Sequence, residues 1–258
     1  MNASNPLASA IGVRDGRIVG VGTVDELAGW GDHVIDDRFA DQVIVPGFVE
    51  AHAHLYVGGM ERFPWVGRFG RRAADGSVKP GCADIGEVIA RLRAVDAEMP
   101  AGEHLLAFGL DPIYFPGERL SARHLDQVSE TRPVAVFHAS LHLATVNSAM
   151  LRAAGITAES TTHGIARGDD GEPSGELQEL PAMSLIPRFG AVFAQMNEAA
   201  AMRTFGASAR AVGITTVTDL ASATPTTPER ERFWNDVVDD TYPVRLVPFP
   251  SYRGGVAG

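Results

Sequence analysis

Two histidines one residue apart, His52 and His54, close an apolar run that begins at Val43 and passes through Pro46 and Gly47. In an extended strand the side chains at i and i+2 share a face, so both imidazoles can converge on one divalent metal ion. Imidazole nitrogen suits zinc, and zinc lowers the pKa of bound water to about 7, which supplies a nucleophile at neutral pH. The competing reading of an isolated His-x-His is a pair of satisfied polar residues at a strand end. The Pro-Gly entry and the apolar run ahead of the pair favour the metal.

Other side chains extend this chemistry. A neutral imidazole at a strand end can donate to a developing oxyanion or to a substrate carboxylate, which makes His142 a candidate catalytic and substrate-binding residue; equally, it reads as a cap on the turn before the next helix. Asn147 and Asp111 join it as substrate-binding candidates. Glu179 is a candidate extra or bridging metal ligand, since a carboxylate suits zinc or manganese, or else a solvated acid at a helix end. His138, inside an apolar run, reads as a satisfied core histidine. Arg68, Arg71 and Arg72 lie in Gly-rich sequence without aromatic interleaving and read as a solvated loop rather than an anion site. Phe63, Trp65, Tyr114 and Phe115 are candidates for a substrate pocket and equally for core packing.

The elements that must position these groups follow from local pattern. Asp15-Gly16 between two short apolar runs predicts a type I′ hairpin in a small β unit over residues 1–42. Residues 43–56 form the strand that carries His52 and His54. Asp84, with Glu87 three residues on, opens a helix whose Ile85, Val88, Ile89, Leu92 and Val95 recur at helical spacing until Pro100. His104 to Asp111 and Pro133 to His138 read as buried strands, with Ser121 capping a short helix between them. A helix from Glu198 to Val212, ended by Gly213, leads into a strand from Ile214 to Leu220. A helix starting at Thr227 and Pro228, with Phe233, Trp234, Val237 and Val238 on its apolar side, precedes a strand from Pro243 to Phe249. Strand, helix, strand in succession predicts parallel α/β architecture.

The run from Val43 to Tyr56 resembles the first barrel strand of the amidohydrolase superfamily, whose Pro-Gly entry and His-x-His supply two ligands to a catalytic divalent metal. Several motifs narrow the resemblance to the YtcJ-like branch. They are Phe108-Gly109-Leu110-Asp111-Pro112, Leu125-Asp126 before Pro133-Val134, His142 through Val146-Asn147-Ser148 to Ala154-Gly155-Ile156, and Gly171-Glu172-Pro173-Ser174-Gly175-Glu176-Leu177-Gln178-Glu179, which follows a Gly-x-Pro-Thr/Ser-Gly-x-Leu-x-Glu pattern. Gly213 to Asp219 follows a Gly-Ile-Thr-Ser/Thr-Val-x-Asp pattern. The branch usually has Gly-His where this chain has Leu141-His142. The resemblance implies an α/β metal-dependent hydrolase of the (β/α)8 TIM-type barrel class, with a small, partial β-sandwich element at 1–42, an α+β insertion or lid at 57–197, and the second and third barrel strands within 198–258. Only the first strands of the barrel are represented. It also implies one or two divalent metal ions, a lysine on the fourth strand, histidines on the fifth and sixth, and an aspartate on the eighth that acts as general base. None of these last residues has a counterpart here, so the expectation is a fragment or one half of a split enzyme that works with a complementary chain.

The function implied is hydrolysis of a C–N bond in a small amide, formamide, urea or cyclic imide. A decarboxylase or esterase on the same scaffold and a non-catalytic piece are the alternatives. Across 258 residues the net charge is −10, which argues against nucleic acid or an anionic membrane as partner and for a small-molecule substrate. The single cysteine, Cys82, rules out an internal disulfide framework and fits a reducing compartment. With no run of about 18 apolar residues and no basic-then-apolar start, the expectation is a cytoplasmic protein, with self-association left open.

Overall fold

Asp15 and Gly16 both adopt left-handed backbone, with φ of 50° and 71°, as a two-residue I′ turn requires. They join β1 (Ala10–Arg14) to β2 (Arg17–Gly22) in an antiparallel pair with Arg14 opposite Arg17. The computed structural model describes residues 7–196, 199–220, 232 and 235–249. Helix α1 (Val24–Ala28) starts with a reciprocal cap, since the Thr23 hydroxyl accepts from the Glu26 amide and the Glu26 carboxylate accepts from the Thr23 amide. The described residues here hold one two-stranded sheet, β1-β2, followed by a helix. The chain divides into two compact units, Met1–Phe48 and Val49–Gly258.

Strand β3 (Phe48–Ala53) runs into a 3-10 helix over Leu55–Arg62. A short hairpin of β4 (Arg71–Arg72) and β5 (Val78–Lys79) follows, then α2 (Ile85–Glu98), β6 (Leu105–Leu110) and a 3-10 turn over Pro112–Tyr114. Next come α3 (Ala122–Asp126), β7 (Val134–His138), β8 (Leu143–Val146), α4 (Ser148–Ala153), β9 (Ile165–Arg167) and β10 (Pro173–Gln178). The order ends with α5 (Glu179–Met183), α6 (Phe189–Met196), α7 (Ala199–Ala211), β11 (Ile214–Asp219) and β12 (Arg245–Pro248). Helix α2 starts where its sequence predicts, Asp84 accepting from the Glu87 amide at 2.9 Å and the Glu87 carboxylate from the Ala83 amide at 2.8 Å. The start of the helix expected at Thr227, with Phe233 and Trp234, lies outside the described residues, as does Glu198.

A five-stranded sheet in the order β6-β7-β8-β10-β9 forms the insertion, with β6 and β7 parallel and the remaining pairs antiparallel. Period-2 alternation divides its side chains between two cores. Leu105, Ala107, Val134 and Val136 pack with Val88, Ile89 and Leu92 of α2 on one face. Phe108, Ala135 and Phe137 pack with Met150, Met183 and Met196 on the other. At Gly109 (φ 105°) the pairing with β7 shifts by a residue, and the Trp65 ring occupies the space that a Cβ would need.

The strand that carries His52, β3, belongs to a separate sheet of order β12-β11-β3. Strands β11 and β12 are parallel, from Thr216 opposite Arg245 to Asp219 opposite Pro248. Their core gathers Ala53, Leu55, Met202, Ala209, Val217 and Val244. Gly58 lets the 3-10 helix lie against α7, where a Cβ would strike the Ala201 carbonyl. The described residues thus form a mixed α/β chain with three strands of this sheet and not a closed barrel. No helix among them is long and apolar enough to cross a membrane.

Candidate metal strand and its surroundings

On β3 the buried side chain of Ala53 enters the core, so His52 and His54 extend from the opposite face. Their ring centroids lie 5.5 Å apart at an interplanar angle of 88°. The His54 ring stacks on Tyr56 at 5.4 Å and 9°. Beside it, at the end of β11, stands Asp219, whose side chain is 0% exposed while that of His54 is 27% exposed. One Asp219 oxygen lies 3.7 Å from His54 Nδ1, and the other accepts from the Leu55 amide at 3.3 Å. Burial, and secondarily the Asp219 charge, push the Tyr56 phenol up. Asp219 is the residue that site prediction from sequence passes over; the signal available was its place as the last residue of a barrel-type strand.

His142 and Glu179 are brought together at the register position beyond Leu143 opposite Gln178. Nδ1 of His142 meets Glu179 Oε2 at 3.0 Å, with the side chains 69% and 58% exposed, and the Glu179 amide donates to the His142 carbonyl at 2.7 Å. Leu141 and Glu179 both hold left-handed backbone, at φ of 58° and 61°. A bulky residue is strained in that region, which explains why a glycine suits the place of Leu141 and marks this corner as constrained. Among the described residues no group of three His, Cys, Asp or Glu side chains gathers as a metal site. Glu179 is therefore not assembled with His52 and His54, its carboxylate being engaged with His142 instead.

Asn147 is a correction to the sequence reading. It is fully buried, its carbonyl accepts from the amides of Val134 (3.0 Å) and Met150 (2.9 Å), and its amide donates to the carbonyls of Ser129 (2.8 Å) and Arg132 (2.9 Å). Both lone pairs and both N–H groups are used, so nothing is left to bind substrate. Asp111 caps the 3-10 turn, accepting from the Ile113 amide at 3.2 Å. The arginines expected in a solvated loop are likewise committed. Arg68 donates to the Ala83 carbonyl, Arg72 to the Gly76 carbonyl, and Arg71 pairs with Glu61 while lying over the rings of Trp65 and Phe108.

His138 is buried, as its apolar setting predicts, but only half satisfied. Nε2 meets the Thr145 hydroxyl at 2.9 Å, whereas Nδ1 has no partner among the described residues. Burial pushes its pKa down to about 4. An unfolded histidine titrates near 6.5, so between these values the unfolded chain takes up a proton that the folded chain refuses. Stability is then fully present above about pH 6.5 and falls by roughly 3 kcal/mol as the pH drops to about 4. His138→Gln is expected to flatten that acid limb in a plot of Tm against pH, and an unchanged limb would refute the assignment.

The sequence model of the amidohydrolase family matches residues 40–252. The chain belongs to the amidohydrolase family. This amidohydrolase chain is 28% identical over 242 residues to protein LONG AFTER FAR-RED 3 of Arabidopsis thaliana, covering 92% of the chain and 39% of that relative. It is 27% identical over 241 residues to the exoenzymes regulatory protein AepA of Pectobacterium carotovorum subsp. carotovorum, covering 88% and 48%. To the N-substituted formamide deformylase of Arthrobacter pascens it is 31% identical over 189 residues, covering 70% and 33%. The chain thus spans between a third and a half of the length of these curated relatives. Among solved structures it is similar to an uncharacterized metal-dependent hydrolase from Pyrococcus horikoshii OT3, at 16% identity and a TM-score of 0.45, covering 93% of the chain and 44% of that structure. In an amidohydrolase, His52 and His54 are chemically suited to hold a divalent metal, because two imidazoles share one strand face and one has a buried ring nitrogen beside a carboxylate. They fit as two ligands of a site that needs at least three.

Proposed function

We propose that this chain forms the metal-strand part of a metal-dependent hydrolase that cuts a C–N bond in a small amide, formamide, urea or cyclic imide. The observation that carries the reading is the pair of imidazoles on the exposed face of β3 in a chain of this family. The named activity of the Arthrobacter relative, on N-substituted formamides, supports the choice of bond. In this reading His52 and His54 hold a divalent metal, zinc being the commonest fit to imidazole. The bound metal supplies Lewis acidity that activates water at neutral pH.

The chain's own residues then divide the remaining work. His142, whose ring gives Nδ1–H to the Glu179 carboxylate, presents Nε2 as an acceptor that orients a substrate N–H, and polarises a substrate carbonyl only as the imidazolium, while residues 57–197 act as a lid that sets specificity. The missing ligands come from further barrel strands carried on a complementary segment or chain. The exposure of Phe48 and Val49 on β3 leaves apolar surface for such strands to cover. The test is metal removal from the complete enzyme. Chelation is expected to lower amide or formamide hydrolysis by at least about 100-fold, and zinc or manganese to restore it. Undiminished hydrolysis after verified metal removal would overturn the reading, and turnover confined to esters, or to carboxylic acids with release of carbon dioxide, would overturn the assignment of the C–N bond.

A further inference from the structure

We propose that Asp219 is a positioning residue that holds the His54 ring in the Nδ1–H tautomer and so keeps Nε2 as the metal-facing nitrogen. The role rests on the reading of His52 and His54 as metal ligands. Three observations converge on it. First, the carboxylate is wholly buried, a costly place for an anion unless N–H groups meet it. Second, it grips consecutive residues, taking the Leu55 amide on one oxygen and standing 3.7 Å from His54 Nδ1 with the other. Third, His54 Nδ1 is sealed from solvent with no hydrogen-bond partner among the described residues, so the Asp219 oxygen is the acceptor toward which a small ring rotation would close.

The surroundings hold both groups in place. Asp219 ends the central strand of its sheet, where the Phe249 amide donates to its carbonyl at 2.8 Å and the Leu220 amide donates to the Ala53 carbonyl at 3.3 Å. Stacking on Tyr56 fixes the plane of the His54 ring. A metal-binding histidine ordinarily donates its second N–H to a carboxylate or carbonyl, which sets the tautomer and raises the basicity of the ligating nitrogen. A purely structural Asp219 would leave the tautomer of His54 indifferent.

The test is the ring tautomer of His54, read from its 13C and 15N resonances in the metal-free chain above the ordinary imidazole pKa, followed by titration with Zn2+. The Nδ1–H form is expected to dominate in the unsubstituted chain, a result that needs no variant to fold. Asp219→Asn retains an acceptor for Leu55; in it the Nδ1–H population is expected to fall and the zinc dissociation constant to rise about 10–100-fold. A dominant Nε2–H form in the unsubstituted chain, or unchanged tautomer and zinc affinity in a folded Asp219→Asn variant, would overturn the proposal. If the Nδ1–H form dominated and depended on Asp219 while neither chain bound zinc, the pairing would stand and the metal reading would fail.

Discussion

Replacing His54 or His52 by Asn in the metal-replete complete enzyme is expected to lower kcat/KM by at least about three orders of magnitude, a loss of about 4 kcal/mol of transition-state stabilisation. A catalytic metal contributes several kcal/mol, and a site deprived of one imidazole holds it too weakly to supply them. His52 is exposed on the side of β3 away from Ala53 and the core it enters, so its substitution should barely affect folding. His54→Asn also loses the ring stacked on Tyr56 and the partly buried imidazole beside Asp219, a stability cost that His52→Asn avoids. Metal content per chain, thermal melting and kcat/KM measured on the same preparations check the expectation. Retention of full activity by His52→Asn with normal metal content would remove the basis for the proposed function.

The placement of these two imidazoles on one strand face was readable because everything that fixes it is local. An apolar run, a Pro-Gly entry and a period of two place both imidazoles on one face without knowledge of any partner strand. The same holds for the Asp15-Gly16 turn and the Asp84-Glu87 start of α2, each determined within four residues. What surrounds His54 was not readable, because Asp219 stands 164 residues from the Leu55 amide it accepts and arrives there only when β11 pairs beside β3. The pairing of His142 with Glu179 likewise depends on the register of β8 against β10. Residue type alone presents an Asn, an Asp or an Arg as a polar group seeking a partner. Whether that partner is a ligand or the chain itself is decided by tertiary structure, and for Arg71 and Asn147 it is the fold. The departure from glycine at Leu141 was visible in sequence, but its meaning came with the left-handed φ measured there.

Asn147 gives this distinction its sharpest test. Asn147→Ala is expected to destabilise the fold by about 4–6 kcal/mol, because it strands the buried amides of Val134 and Met150, the second of them the cap of α4, and the partly buried carbonyls of Ser129 and Arg132, at roughly 1–1.5 kcal/mol each. That is a large part of the 5–15 kcal/mol that ordinarily separates folded from unfolded chains. For a chain of this size each kcal/mol moves Tm by roughly 2–4 °C, so a drop of about 10–20 °C should be seen in a thermal melt. Asn147→Asp should also fail to rescue stability, since a carboxylate accepts from Val134 and Met150 but cannot donate to Ser129 and Arg132. In whatever fraction remains folded, KM should be close to that of the unsubstituted enzyme. A substrate-binding Asn147 would give the reverse, a raised KM with an unmoved Tm, because a side chain reserved for a ligand does not carry the backbone of the protein that binds it.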